Sequence, residues 1–264
     1  MIRLAVDRIT PLTRWTLFVV GLACAQPCLA CSAPADWPKG EEETPAAPAP
    51  NGDDDASEVE ITGTVVEPAE HPVEGLTVCL FGYDDAPCAT TDRQGTFVMR
   101  VPARKRVLLS FEGRDEFPPA LAAYETTSSD ASFRVLTFPL ALLPLLDGAI
   151  GHEIDLGLGN ILLEARSTRS EGAPNVAGVS AAIDPASGFG PFYQADLLPD
   201  AALTETGAAG GIGFANLPSG SYQVALHHAV RTCSPWVAWP GDEADTIHVE
   251  AVEGYVTLAS VVCE

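Results

Sequence analysis

The chain has 264 residues, 47% of them hydrophobic, enough for one large domain or two small ones with buried interiors. Its 14 Lys and Arg stand against 36 Asp and Glu, a formal net charge of −22 at pH 7. A surface of that sign favours solubility, repels phosphate backbones and excludes nucleic acid as an expected partner.

Residues 1–30 read as a signal peptide. Arg3, Arg8 and Arg14 flank the start of the apolar run Trp15–Ala25, shorter than the ~20 residues of a membrane-spanning helix. Two steps from small residue to cysteine follow, Leu22-Ala-Cys24 and Leu29-Ala-Cys31. Both resemble the lipobox of bacterial lipoproteins, although Gly21 or Cys28 stands three places before the cysteine instead of Leu. Cys31 is the preferred lipidation site because polar sequence begins directly after it. Cys24 is the alternative, and plain cleavage near Ala25 is a third reading. The resemblance implies an exported protein, lipid-anchored in the outer membrane or at the cell surface, with Ser32 favouring the outer membrane. Without the lipid it would be periplasmic or secreted.

Residues 31–58 are rich in proline, alanine and acid, with almost nothing to bury. They are expected to form a disordered, extended tether. The run Asp53-Asp54-Asp55 lacks the glycine and terminal Glu spacing of a calcium loop and reads as solvated charge.

The first domain is expected at 59–152. Ile61, Gly63 and Val65 open a strand, and Leu76, Val78 and Leu80 alternate in the next. Thr91–Gly95 is a turn, after which Phe97, Met99 and Val101 alternate again. Val107–Phe111 and Phe133–Phe138 are further strands. Pro144 and Gly148 break the apolar stretch 141–150, which is expected to be a short helical connection at most.

The second domain is expected at 153–264. Val176-Ala-Gly178 answers Val73-Glu-Gly75, and Ala181 and Ile183 fall where Val78 and Leu80 fall, at one constant offset. Thr206 and Gly210 repeat the step from Thr91 to Gly95, and Phe214–Leu226 gives strand, turn, strand. A repeat about a hundred residues long means two copies of a domain rather than a solenoid, whose units run ~20–50 residues. Many short strands with regular turns make each copy an antiparallel sandwich.

The segments Ile61–Val65, Pro72–Leu80 and Thr91–Phe97 resemble the carboxypeptidase regulatory-like domain. Gly213–Val224 is similar to the same family or to Cna B-type repeats. The resemblance implies an all-β chain of two tandem, seven-stranded, transthyretin-like sandwiches, used as accessory or surface modules without catalysis. Residues 112–155 and 229–264 lie outside it. The internal Lys–Asn crosslink of Cna B-type modules is excluded from the second domain, which has no lysine.

Cys79, Cys88, Cys233 and Cys263 remain after cleavage at Cys31, and exported thiols are expected to be oxidised. Three pairings are possible. Local geometry favours Cys79–Cys88 across a hairpin, leaving Cys233–Cys263 to fasten a long loop to the last strand. No cofactor and no metal site is expected. His71-Pro-Val-Glu74 has zinc-ligand spacing, but sits in the accessory module without the large catalytic domain that would use it. An alternative enzyme reading is a ferric site like that of intradiol dioxygenases, from Tyr222, Tyr193 or Tyr255, and His227 or His228. Adjacent strand residues point to opposite faces, so the two histidines do not both reach one metal. The remaining candidate is a pair of indoles, Trp236 and Trp239, bracketed by Pro235 and Pro240 beside the acidic run Asp242–Asp245. In a loop they would make a stacking platform. The expected partners are the membrane, through the lipid, and a glycan, a peptide or a neighbouring envelope protein.

Overall fold

The computed structural model describes residues 57–264 except 69, 84, 128–130 and 171. The expected signal peptide, both candidate lipidation cysteines and all but the last two residues of the expected tether lie outside that range.

The first half begins with strand β1 (Glu58–Glu67), the two-residue β2 (His71–Pro72), β3 (Thr77–Leu80) and the two-residue β4 (Ala89–Thr90). β5 (Thr96–Pro102), β6 (Arg106–Glu112), β7 (Ala120–Glu125) and β8 (Ala131–Leu136) complete it. A 3-10 turn at Leu140–Leu142 leads into α1 (Leu143–Ile150). Pro144 does not break this helix. It sits in the first turn, where no N–H is needed, and Gly151 ends the helix at φ 68°.

The second half runs through β9 (Gly159–Arg166), β10 (Ser180–Asp184), β11 (Phe189–Tyr193), β12 (Gly211–Leu217) and β13 (Gly220–His227). It ends with β14 (Cys233–Val237), β15 (Trp239–Pro240), β16 (Thr246–Ala251) and β17 (Val256–Cys263). The halves thus hold eight and nine strands, against the expected seven each.

The two halves share one strand order. In the first, β1 lies between β8 and β5, and opposite them run β3, β6 and β7. In the second, β9 lies between β17 and β12, opposite β10, β13 and β16. Purely antiparallel sheets were expected, yet β8 runs parallel to β1 and β17 parallel to β9. The physical reason is the route. The chain crosses to the opposite sheet and back before its last strand, and such a crossover permits parallel pairing without a helix.

The turn at Thr91–Gly95 is built twice from the same bonds. The Thr91 hydroxyl accepts the Leu76 amide at 2.9 Å, and the Thr206 hydroxyl accepts that of Val179 at 3.0 Å. Gly75 and Gly178 donate to the carbonyls of Thr91 and Thr206 at 2.9 and 2.8 Å. Val65 and Ala165 donate to the carbonyls of Gly95 and Gly210 at 2.8 and 2.9 Å. Gly95 is at φ 71°, and a Cβ there would stand 2.3 Å from the Val65 carbonyl oxygen. Gly82, at φ 82°, has open space around it. Gly95→Ala is therefore expected to lower stability by more than the about 1–3 kcal/mol of backbone strain alone, and Gly82→Ala by no more than that strain. Equal urea midpoints for the two variants would contradict this account of the turn.

The two halves are not separately closed. β17 also pairs in parallel with β7, Val256 opposite Ala120 and Thr257 opposite Leu121. This joins the second sheet of the first half to the first sheet of the second half, giving nine strands in one sheet. The interior follows the sheet. One buried cluster gathers Ile61, Val78, Phe97 and Phe111 of the first half, and includes Trp236, Val237, Val256 and Leu258 of the second. Another lies within the second half around Ile161, Phe214, Tyr222 and Ile247. The expected boundary near 152 falls just after α1, in a connection that the joined sheet bridges from the other side.

Candidate functional site

The junction between the halves gathers the charged and aromatic side chains with the most chemistry. β7 is apolar and buried along its length up to Tyr124, because β6 and β17 flank it and both its faces are covered. Trp236 on β14 is 8% exposed and belongs to the interior of the first half. The Arg166 guanidinium lies 5.8 Å from its ring centre, a cation–π contact. Trp239 donates its indole N–H to the carbonyl of Tyr124 at 3.2 Å. The expected pair of indoles is thus divided between two structural tasks, and Trp236 in particular is withdrawn from solvent. Burial of its large apolar ring outweighs display. On the other side of the junction the Tyr255 hydroxyl donates to Glu112 Oε1 at 2.8 Å, which raises the phenol above its usual pKa.

Three charged side chains are buried here. Glu164 Oε2 accepts from Arg134 Nη1 at 2.9 Å and from Arg166 Nη1 at 3.2 Å. Arg134 Nη2 also donates to Glu70 at 2.6 Å, and Arg166 Nη2 to the Ala173 carbonyl at 2.8 Å. Arg134 comes from β8 and the other two from β9, so the bridge ties the closing strand of one half to the opening strand of the next. Sequence reasoning missed it. The available signal was a charge inside apolar strand sequence, in Phe133-Arg-Val and Leu163-Glu-Ala-Arg166, because a buried charge needs a partner.

Beside this network lies a cleft of about 610 Å³, which shares the lining residues Ser132, Arg169 and Trp236 with a smaller recess of about 80 Å³. Arg104 and Arg169 line the cleft and are exposed, while Arg134 lines the recess. Arg169 donates to the Pro235 carbonyl at 3.0 Å. Burial pushes the Tyr124 phenol up in pKa, with the charge of Arg169 opposing. Among the described residues of the cleft lining the one carboxylate, Glu125, stands 3.9 Å from Arg106.

The disulfides are Cys79–Cys88 and Cys233–Cys263, the pairing that local geometry favours. The second fixes β14 to the end of β17, in register at the bonded residues. Chain entropy makes it the stronger, because it spans 30 residues against 9. Replacing both cysteines of the longer loop with serine is expected to cost about 3.5 kcal/mol, and those of the shorter about 2.5 kcal/mol, by urea unfolding. The reverse order would contradict the assignment.

The side chains of the alternative iron site have other uses. The Tyr222 hydroxyl donates to the Pro218 carbonyl at 2.9 Å, and that of Tyr193 accepts the Ala181 amide at 3.0 Å. His228 Nδ1 accepts the amides of Val230 and Arg231, and His227 is exposed. His71 lies 3.5 Å from Glu67 on the surface. Among the described residues, no three His, Cys, Asp or Glu side chains are grouped as metal ligands.

No family model and no curated protein matches the sequence. Among solved structures, the minor pilin GBS52 of Streptococcus agalactiae aligns over 77% of this chain and 94% of its own, at 12% identity and a TM-score of 0.27. The TIE protein of Bacillus anthracis aligns over 78% of this chain and 34% of its own, at 12% identity and 0.28. The shaft pilin SpaA of Lactobacillus rhamnosus GG aligns over 79% and 98%, at 10% identity and 0.24. Likeness at such TM-scores transfers neither a fold nor a function.

Proposed function

We propose that the chain is a non-catalytic, exported surface module, two transthyretin-like sandwiches of the carboxypeptidase regulatory-like kind joined into one body. It is lipidated at Cys31, with Cys24 the alternative, and held off the outer membrane by the acidic segment 31–58. Its role is to bind a glycan, a peptide or a neighbouring envelope protein, or to serve as structure. The observation that carries this reading is the pairing of all four cysteines in the described residues. Two disulfides accumulate in oxidising compartments and are rare in a reducing cytosol. The cleft at the junction supports a binding role, since its volume lies in the about 300–1,000 Å³ range of ligand sites.

The test is metabolic palmitate labelling of the full chain in a Gram-negative host, with metal analysis of the purified product. Label is expected in the wild type, to be lost in Cys31→Ala and kept in Cys24→Ala. Label lost only in Cys24→Ala would move the anchor, and absence of label would remove it. Stoichiometric iron or zinc, released on Tyr222→Phe, would overturn the non-catalytic reading.

A further inference from the structure

We infer that the junction cleft binds an acidic oligosaccharide, with Arg104 and Arg169 holding its carboxylates. The inference rests on the reading of the chain as a surface binding module and names the ligand class. Charge is the first argument. The chain carries 36 Asp and Glu against 14 Lys and Arg, yet the described lining of cleft and recess has three guanidiniums and one carboxylate. Two of the three have no described carboxylate beside them, although Arg169 gives one N–H to the neutral Pro235 carbonyl. Arg134 is bonded to Glu164 and Glu70, whereas Arg104 and Arg169 have no carboxylate partner among the described residues. Both are exposed, so their charge is presented to the cleft and is not spent inside the protein. A planar guanidinium matches a carboxylate with two parallel bonds.

The second argument is what surrounds the charges. Thr62, Thr64 and Ser132 line the recess as short side chains that exchange hydrogen bonds with sugar hydroxyls. The edges of Tyr124 and Trp236 add apolar wall. The lining also holds Pro235 and Pro240, which have no N–H to offer a peptide backbone. A peptide added as a strand needs such donors, whereas a sugar carboxylate and its ring hydroxyls are met by side chains alone. The interior of the recess, about 80 Å³, is of the order of one substituent, while the cleft of about 610 Å³ takes several rings.

Isothermal titration of the full chain with a galacturonic acid tetramer, a neutral maltotetraose and a tetraglutamate peptide tests this. The galacturonate tetramer is expected to bind, more weakly as salt rises, with the neutral sugar silent. Arg104→Gln with Arg169→Gln is expected to weaken binding at least about tenfold, since each charge-assisted bond contributes on the order of a tenfold factor. Both positions are exposed, so an unchanged thermal midpoint identifies the loss as one of binding. No binding of the galacturonate, or binding that the double variant leaves intact, overturns the proposal. Tetraglutamate binding as tightly as the sugar through the same two arginines overturns the ligand class in favour of a peptide. Those failures leave palmitate labelling and cysteine pairing untouched, so they remove the ligand without removing the module.

Discussion

Glu164→Gln is expected to destabilise the protein by about 3–5 kcal/mol, the loss seen when one member of a buried ion pair is removed. The side chains of Arg134, Arg166 and Glu164 are 4%, 2% and 10% exposed, so water cannot replace the lost carboxylate. Glutamine keeps the shape but not the charge, leaving Arg166 without a carboxylate and Arg134 with only the exposed Glu70. Their position is already costly, because Nε of both arginines lacks a hydrogen-bond partner. Replacing all three side chains together, as Arg134→Met, Glu164→Leu and Arg166→Met, is expected to recover most of the loss, since well-packed apolar groups often match a buried ionic network. Urea midpoints of the two variants check both statements. A loss below about 1 kcal/mol in Glu164→Gln would mean that the network is solvated and contributes as a surface pair does.

Trp236→Ala is expected to cost about 3–5 kcal/mol, the range for removing a large buried aromatic ring. Its particular consequence is where the loss is felt. The ring belongs by sequence to the second half and by packing to the interior of the first, next to Arg166. Amide exchange in β6 and β17, which share that interior, is therefore expected to accelerate together, although β6 is distant from residue 236 in sequence. Trp239→Phe, which removes the indole donor to Tyr124 along with part of the ring, is expected to cost at least about 1 kcal/mol. Acceleration confined to one half in Trp236→Ala would show that the indole anchors that half alone.

What could be read in the sequence was what alternates. Val78 and Leu80, and Phe97, Met99 and Val101, lie on strands with alternating burial, Leu76 lies directly before the first of these strands, and the structure buries all six. The repeated glycines and threonines of the two turns were legible because positive φ and a buried hydroxyl restrict which residues can stand there. The junction was not. β7 is Ala-Leu-Ala-Ala-Tyr-Glu and β17 is Val-Thr-Leu-Ala-Ser-Val-Val-Cys, both covered on two faces, so neither alternates. These strands, with β8, β14 and β16, fall in the stretches 112–155 and 229–264 that the family resemblance left out. Exposure was equally invisible for Trp236 and Trp239. An aromatic between two prolines has the same local sequence whether it faces solvent or enters a neighbouring interior.

The account depends on the two halves folding as one body, through the pairing of β7 with β17, the indole of Trp236 and the bridge at Glu164. Scanning calorimetry of the oxidised full chain tests it most directly. The account predicts a single endotherm whose calorimetric and van't Hoff enthalpies agree. Two resolved transitions, or a van't Hoff enthalpy near half the calorimetric value, would contradict it and leave two halves that merely touch.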